Sequence, residues 1–358
     1  MFRKLLRALS ILLVLLLVSG FVYEHLAARH DRLAYPPPGK HLAVDGLALH
    51  VDCRGAGSPV LLLEAGLTSG SASWALVHDQ LASATRVCAY DRPGMDWSED
   101  GDVDRRAGAV AERLHTLISA ADIHEPMVLL GMSAGGVYVR EYFARYPIGI
   151  AGMVLVDSSH EQQAKRLPGG DTSVAMTTML TLCRGLQPFG VVRLTHGMDG
   201  LLDAISVPPD VRELLRATYY QTGRCAAIQE ETAAFMADLA QAPTPRSLGD
   251  LPLLVISQGK PAEANPMAGI SLELARAQRD VWDALQEELT GLSTNGRRVI
   301  ADSSGHVVQF EQPDLLAREV TAFVKSLREP GRVSHSAAFN ETQTRTDHAS
   351  RSRVIVRN

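Results

Sequence analysis

The chain has 358 residues, of which 46% are hydrophobic, enough for a large buried core. Its formal net charge is −5 and its isoelectric point is about 6.2, so it lacks the excess of basic residues that is typical of nucleic-acid-binding proteins. The sequence also contains no metal-binding or phosphate-binding motif. These properties exclude a nucleic-acid partner and give no reason to expect a metal or nucleotide cofactor.

Residues 1–27 are interpreted as a membrane segment. Arg3, Lys4 and Arg7 precede an apolar run from Ala8 to Tyr23. Counted from Leu5, with the Arg7 side chain extended to the bilayer surface, the segment has 19 residues, close to the length of about 20 that spans a bilayer. We expect a retained anchor whose basic flank stays in the cytoplasm, with the rest of the chain periplasmic or extracellular. A cleaved signal peptide and a secreted product are the alternative.

Residues 28–40 are predicted to form a charged, proline-rich linker with extended geometry at its three consecutive prolines. Beyond the linker, strand patterns alternate with helix patterns. Strands are predicted near Leu47, Val60, Val87, Val128, Val154, Leu253 and Val299, and helices over Ser73–Ala82, Arg105–Ala121, Val137–Tyr146 and Pro313–Leu327. This alternation predicts an α/β protein with a mostly parallel sheet covered by helices on both faces.

A Gly-x-Ser-x-Gly pentapeptide at 131–135 separates the apolar run Met127–Leu130 from the helix pattern that starts at Val137. A strand, sharp turn and helix in this order are typical of a nucleophile elbow, which exposes a serine hydroxyl at the end of a sheet. The glycines two residues to either side allow the chain to pass closely. Ser133 is therefore the candidate nucleophile.

The alternation stops between the predicted strands at Val154 and Leu253. Residues 158–250 contain helix patterns and no convincing strand, which predicts a helical insertion between the core segments 41–157 and 251–330. The helix patterns cover Thr172–Leu182, Pro209–Gln221 and Arg224–Ala240. The last residues, 331–358, are polar and aperiodic and predict a disordered tail.

A serine hydroxyl becomes a good nucleophile when a histidine takes its proton and a carboxylate orients that histidine. His306 follows a short predicted strand near the end of the chain and is the candidate base. Asp157 ends one strand, and Glu263 is the only carboxylate within a few residues of the next one. Either carboxylate would face the same sheet edge as Ser133. We favour Asp157, with Glu263 as the alternative.

From about residue 40 to residue 328 the chain resembles the α/β-hydrolases, whose members carry nucleophile, acid and histidine in this order. Residues 64–67, Glu-Ala-Gly-Leu, end a strand where many members have His-Gly. Residues 90–98, Tyr-Asp-Arg-Pro-Gly-Met-Asp-Trp-Ser, resemble the family's Asp-Arg-Pro-Gly-x-Gly-x-Ser turn. Ala65 and Met132 depart from the pattern, each standing where histidine is common, but neither position performs the chemistry.

The resemblance implies that the insertion is a helical cap over the active-site cleft. It also implies that the backbone N–H groups of Leu67 and Ala134 stabilise the oxyanion. The strands of Cys53 and Cys88 would be neighbours, and Cys183 and Cys225 both fall in the cap. We prefer these two pairs as disulfides, with free buried thiols as the alternative.

The activity implied is hydrolysis of a small-molecule carboxylic ester through an acyl-enzyme, with Ser133, His306 and Asp157 as the catalytic residues and no cofactor. A serine peptidase or acyltransferase with the same residues is one alternative. A non-catalytic ligand-binding receptor is another, because a fold alone does not prove activity.

Overall fold

The computed structural model describes residues 1–169, 173–203, 205–241, 246–265 and 269–329. The predicted tail at 331–358 and the predicted helix start at Thr172 lie outside the described residues. The strands are β1 (Lys40–Val44), β2 (Leu47–Arg54), β3 (Val60–Glu64), β4 (Val87–Tyr90), β5 (Met127–Met132), β6 (Ile150–Val156), β7 (Leu253–Gln258) and β8 (Gly296–Ala301).

The α-helices fall before, between and after these strands. They are α1 (Phe2–Ala34), α2 (His78–Ala82), α3 (Ala107–Ala120), α4 (Ala134–Arg145), α5 (Gln163–Arg166), α6 (Ser173–Leu186), α7 (Val191–Leu194), α8 (Asp199–Asp203), α9 (Pro209–Tyr219), α10 (Arg224–Gln241), α11 (Leu272–Thr290), α12 (Val308–Glu311) and α13 (Pro313–Ser326). Short 3₁₀ helices cover Ser71–Trp74 and Gln187–Phe189.

The strands form one sheet in the order β1-β2-β4-β3-β5-β6-β7-β8. The pairs formed by β1 with β2 and by β2 with β4 are antiparallel, and all the others are parallel. This order confirms the predicted mostly parallel sheet. Because the parallel strands run in one direction, their carboxyl ends meet at one edge, where ligands bind in open α/β sheets.

Helices cover both faces of the sheet, which explains the continuous apolar runs in its central strands. Leu62 of β3 faces a cluster that includes residues of α3, α4 and α11. Its neighbours Leu61 and Leu63 face the opposite cluster, which includes residues of α2 and α13. The core therefore lies in two layers, one on each side of the sheet.

The insertion between β6 and β7 carries helices α5 to α10, which confirms the inserted helical cap. Besides the one-turn helix α12, the elements β1 and α11 of the core were not predicted. β1 is a short edge strand with only Val44 buried, so it has no clear apolar alternation. α11 is long but buries only Leu285, Gln286 and Leu289, so its apolar stripe is narrow.

The predicted linker at 28–40 is wrong in its first part, because α1 continues through Ala34. Interactions with the cap explain this extension. Arg193 of α7 pairs with Glu24 at 3.1 Å and with Asp31 at 2.6 Å, and Ala28 between them is fully buried. The charged residues after the apolar run thus form a second helical section that packs on the cap.

The first section of α1 is apolar and exposed. Its most apolar 18-residue window has a mean hydropathy of 2.5, and none of that window is buried. Among the described residues, α1 is the one helix that is long and apolar enough to cross a membrane by length and composition.

Both preferred cysteine pairs form disulfides. Cys53 and Cys88 are cross-strand partners in β2 and β4, and Cys183 is bonded to Cys225. The second bond joins α6 to α10 within the cap.

Candidate active site

Ser133 lies at the turn between β5 and α4 in a backbone conformation that is rare for a residue with a side chain. Its φ is 52° and its ψ is −122°. Backbone hydrogen bonds fix this turn against the end of β6. The Ser133 N–H donates to Val156 O at 3.1 Å, and the Ser159 N–H donates to Ser133 O at 2.9 Å.

The glycines on either side of Ser133 have no room for a side chain. A Cβ at Gly131 would lie 2.6 Å from the carbonyl carbon of Gly135, and a Cβ at Gly135 would lie 2.7 Å from Ala65 O. Both distances are shorter than any normal carbon contact. Close passage of the chain therefore explains the spacing of the pentapeptide.

His306 connects Ser133 to Asp157 through its two ring nitrogens. Its Nε2 lies 2.9 Å from Ser133 Oγ, and its Nδ1 lies 2.6 Å from Asp157 Oδ2. Asp157 is fully buried, whereas the His306 side chain is 43% exposed. The fold thus joins three residues that are separated by up to 173 positions.

Asp157 is held by donors on both of its oxygens. Its Oδ1 accepts from the Gln258 N–H at 3.0 Å and from Trp282 Nε1 at 3.0 Å, while its Oδ2 faces His306. These donors compensate a buried carboxylate and fix its orientation. The Trp282 ring also packs edge-on against the His306 ring, with centroids 5.7 Å apart. Sequence reasoning missed Trp282 because it missed α11.

Glu263, the alternative carboxylate, is exposed. It lines a groove of about 460 Å³ that Trp282 and Gly305 also line. Asp157 therefore occupies the position beside His306 Nδ1, and Glu263 lies outside the buried group.

Leu67 and Ala134 both lie beside Ser133. Ala134 is the first residue of α4, and the Leu67 side chain packs against the apolar cluster that contains Ala134 and Phe235. A Cβ at Gly66 would lie 3.4 Å from Ser133 Cβ, so the loop passes next to the serine. The N-terminus of a helix favours negative charge, which suits this position to an anionic oxygen.

Arg92 is buried and holds the loop at 65–69 through backbone oxygens. It donates to Ala65 O at 3.0 Å, to Gly66 O at 2.7 Å and to Ser69 O at 3.1 Å. In the sequence, residues 90–98 are similar to a turn of the α/β-hydrolases. The structure adds that the guanidinium fastens the segment that contains Leu67.

Two buried carboxylates flank the Arg92 guanidinium. Glu64, from the end of β3, pairs with Arg92 and accepts from the Tyr90 hydroxyl, and burial raises the pKa of its carboxyl group. Glu231 of α10 accepts from Arg92 Nε and from the Thr68 N–H, each at 2.6 Å. A cap residue thus contacts the residue that follows Leu67.

A mostly parallel sheet with a helical cap, and a serine, a histidine and an aspartate joined at its carboxyl edge, define a class of protein. The model of the alpha/beta hydrolase family matches residues 60–319, which is more than half of the chain. The chain therefore belongs to the α/β-hydrolase family.

The relatives differ in how much of their own length they share with this chain. An AB hydrolase superfamily protein of Gibberella zeae is 27% identical over 292 residues, which cover 75% of this chain and 87% of that protein. An uncharacterized protein of Schizosaccharomyces pombe is 27% identical over 262 residues, 66% of this chain. This chain spans only 44% of the length of that second relative.

Solved structures share the fold at low sequence identity. A thermophilic esterase from Thermogutta terrifontis superposes with a TM-score of 0.57 at 17% identity. The aligned region includes 81% of this chain and 98% of the esterase chain. A membrane phospholipase A superposes with a TM-score of 0.56 at 23% identity. The aligned region includes 92% of this chain and 100% of the phospholipase chain. At these identities the likeness is one of fold.

We predict that Gly135→Ala lowers the free energy of unfolding by about 1–3 kcal/mol, because the added methyl group overlaps backbone atoms that cannot move independently. Urea unfolding measures the change. Gly185→Ala in α6 is the matched control, since a Cβ there meets nothing within 4 Å. The control should be neutral or stabilising by up to about 1 kcal/mol. Equal losses in both variants would contradict the close-passage explanation.

We also predict that Glu231→Ala destabilises the protein by about 3–5 kcal/mol, because it leaves the buried Arg92 charge with one carboxylate fewer. Glu231→Gln should lose less, since its amide oxygen still accepts a hydrogen bond. The adjacent Glu230 is the control: its side chain is 40% exposed, and Glu230→Ala should cost no more than about 1 kcal/mol. Thermal unfolding of the three variants tests this order, and similar values at both positions would refute it.

Proposed function

We propose that the protein is a serine hydrolase that cleaves a small-molecule carboxylic ester through an acyl-enzyme. The hydrogen-bonded series from Ser133 Oγ through His306 to Asp157 is the observation that carries this proposal. It supplies a nucleophile, a base and an orienting carboxylate at the sheet edge where this fold binds ligands.

In the first half of the proposed reaction, Ser133 Oγ attacks the ester carbonyl carbon and His306 Nε2 takes its proton. The Asp157 carboxylate accepts the Nδ1–H bond, which fixes the histidine tautomer and stabilises the imidazolium that forms. The Leu67 and Ala134 N–H groups would stabilise the oxyanion. When the C–O bond to the alcohol breaks, His306 Nε2 returns the proton to the leaving oxygen.

In the second half, His306 Nε2 takes a proton from water, which attacks the acyl-enzyme carbonyl carbon. Cleavage of the bond to Ser133 Oγ releases the carboxylic acid, and the serine regains its proton from His306. No step uses a cofactor. The similarity to an esterase and to a phospholipase A, two kinds of enzyme that act on esters, agrees with the proposed substrate class.

We further propose that α1 is a retained membrane anchor and that the hydrolase part lies outside the cytoplasm. Retention is favoured by the contacts of α1 with the cap, because removal of residues 1–27 would take Glu24 away from Arg193. The basic residues before the apolar run favour a cytoplasmic N-terminus. Two disulfides are consistent with an oxidising compartment on the other side.

Labelling with a fluorophosphonate probe tests the proposed nucleophile. We expect the full-length protein to be labelled covalently and Ser133→Ala to remain unlabelled, because the probe reacts with an activated serine oxygen. An unlabelled but folded wild-type protein would support a ligand-binding receptor instead.

The choice of acid has its own test in the hydrolysis of nitrophenyl esters. Asp157→Asn should lower kcat by about 10³- to 10⁴-fold, because the amide favours the wrong histidine tautomer. Glu263→Gln, which changes an exposed carboxylate in the same way, should leave kcat nearly unchanged. The reverse order of the two variants would transfer the role of acid to Glu263.

A further inference from the structure

Helix α6 presents an apolar stripe to its surroundings. Met179, Leu182 and Leu186 are 56%, 57% and 41% exposed, and with the exposed Ala175 they follow the i, i+4, i+7, i+11 spacing of one helix face. The stripe is not part of the cap interior, because the buried Leu180 projects from a different side of the helix.

The other side of α6 is fastened to α10. Cys183 is bonded to Cys225, and Leu180 packs in the same cluster as Cys225 and Ile228. The single charged residue of α6, Arg184, contacts Glu230 of α10 at 3.1 Å. The attached side thus carries the charge, and the outward stripe is free of it.

The end of α6 leads directly to the contact between the cap and α1. After Leu186 comes the 3₁₀ helix Gln187–Phe189, which packs so closely on α1 that a Cβ at Gly20 would overlap the Phe189 carbonyl oxygen and lie 3.1 Å from its carbonyl carbon. A Cβ at Gly190 would lie 2.8 Å from the Tyr23 ring. The ion pairs of Arg193 follow immediately, so the cap is attached to α1 from Gly20 to Asp31.

The length of α1 fixes the level of this contact relative to a bilayer. At a rise of about 1.5 Å per residue, the apolar section from Leu5 to Tyr23 extends about 27 Å. A bilayer has a hydrocarbon thickness of about 30 Å, so the apolar section ends near the bilayer surface at Tyr23, one turn after Gly20. Glu24, the first acidic residue, lies one position further and is paired with Arg193. The cap therefore contacts α1 at the edge of the hydrocarbon.

We propose that the α6 stripe of Ala175, Met179, Leu182 and Leu186 lies in the boundary layer of the bilayer that holds α1, so that the cap binds the membrane at a second point. The inference rests on the proposed α1 anchor. A helix with one apolar face lies in the membrane plane with that face about 5–10 Å deep, and the α6 stripe begins next to the level at which α1 leaves the hydrocarbon. A lipid surface thus covers an apolar stripe that no described protein segment covers.

Single-cysteine labelling of the full chain in lipid vesicles tests the proposal. The four native cysteines are all in disulfides, so an introduced cysteine is the only free thiol. Met179→Cys and Leu182→Cys would carry an environment-sensitive NBD label in phosphatidylcholine–phosphatidylglycerol vesicles that contain brominated acyl chains. We expect blue-shifted emission and quenching several-fold stronger than at the control position.

Ile148→Cys is the matched control, because Ile148 is 83% exposed and lies in the turn before β6, at the sheet edge away from Ser133. Leu12→Cys reports on α1, where the side chain is 52% exposed. Quenching at Leu12 with no more quenching at α6 than at Ile148 would overturn the proposal and leave the anchor standing. A blue shift at α6 that grows with the protein-to-lipid ratio and is not accompanied by quenching from the brominated chains would show that a second copy of the protein covers the stripe. This result would also overturn the proposal.

No quenching at Leu12 would overturn both the anchor and the membrane-bound stripe. Fluorophosphonate labelling of Ser133 in the same vesicles reports on the hydrolase separately, so a failed surface and a failed enzyme are distinguished. Circular dichroism of each labelled variant verifies that the protein is folded, which the exposure of all four positions favours.

Discussion

The pairing of β5 with β6 is the constraint on which the candidate site depends. Met132 and Val156 are partners in this register, and the next residues are Ser133 and Asp157. Both have positive φ values, 52° and 39°, so the chain turns sharply as it leaves each strand. A slip of one residue would move one of the two side chains along the sheet and to its other face. The register therefore sets the distance that the His306 ring spans.

The backbone conformation of Ser133 has an energetic cost of about 1–3 kcal/mol, which the surrounding structure must offset. The hydrogen bonds from Ser133 to Val156 and from Ser159 to Ser133 do this, and they come from the end of β6 and the segment after it, on either side of Asp157. The same backbone contacts thus stabilise the turn and align the carboxylate. Both the turn and the alignment of the carboxylate require glycine at 131 and 135, because a side chain at either position would overlap backbone atoms.

Arg92 performs a comparable task for the loop on the other side of Ser133. Its contacts join the end of β3, the loop backbone and α10 of the cap, since Glu64 and Glu231 both pair with it. Glu231 also binds the N–H of Thr68, whose φ of 64° is uncommon for a β-branched residue. A buried charge with several partners is costly to disturb, so the loop and the cap are held in one arrangement.

Short-range patterns were sufficient to predict the alternation of strands and helices along the chain, the sharp strand-to-helix turn at Ser133 and the place of His306 after a strand. They were not sufficient to choose between Asp157 and Glu263, because both follow strands that end at the same edge. The choice in the structure depends on donors from Gln258 and Trp282, and the latter lies 125 positions from Asp157. The pairing of Arg92 with Glu231, across 139 positions, was beyond sequence patterns for the same reason.

The wrongly predicted linker changes how the hydrolase part relates to α1. An extended stalk from residue 28 would leave the orientation of the cap free, since a proline-rich linker is stiff only over a few residues. A helix that continues to Ala34 and buries Ala28 against the cap does not allow that freedom. Arg193 pairs with Glu24, one turn after Gly20 on α1, and with Asp31, three turns after Gly20. Rotation of α1 about its axis would therefore break both ion pairs. Whatever holds the apolar section of α1 therefore also orients the cap, and with it the approach to Ser133.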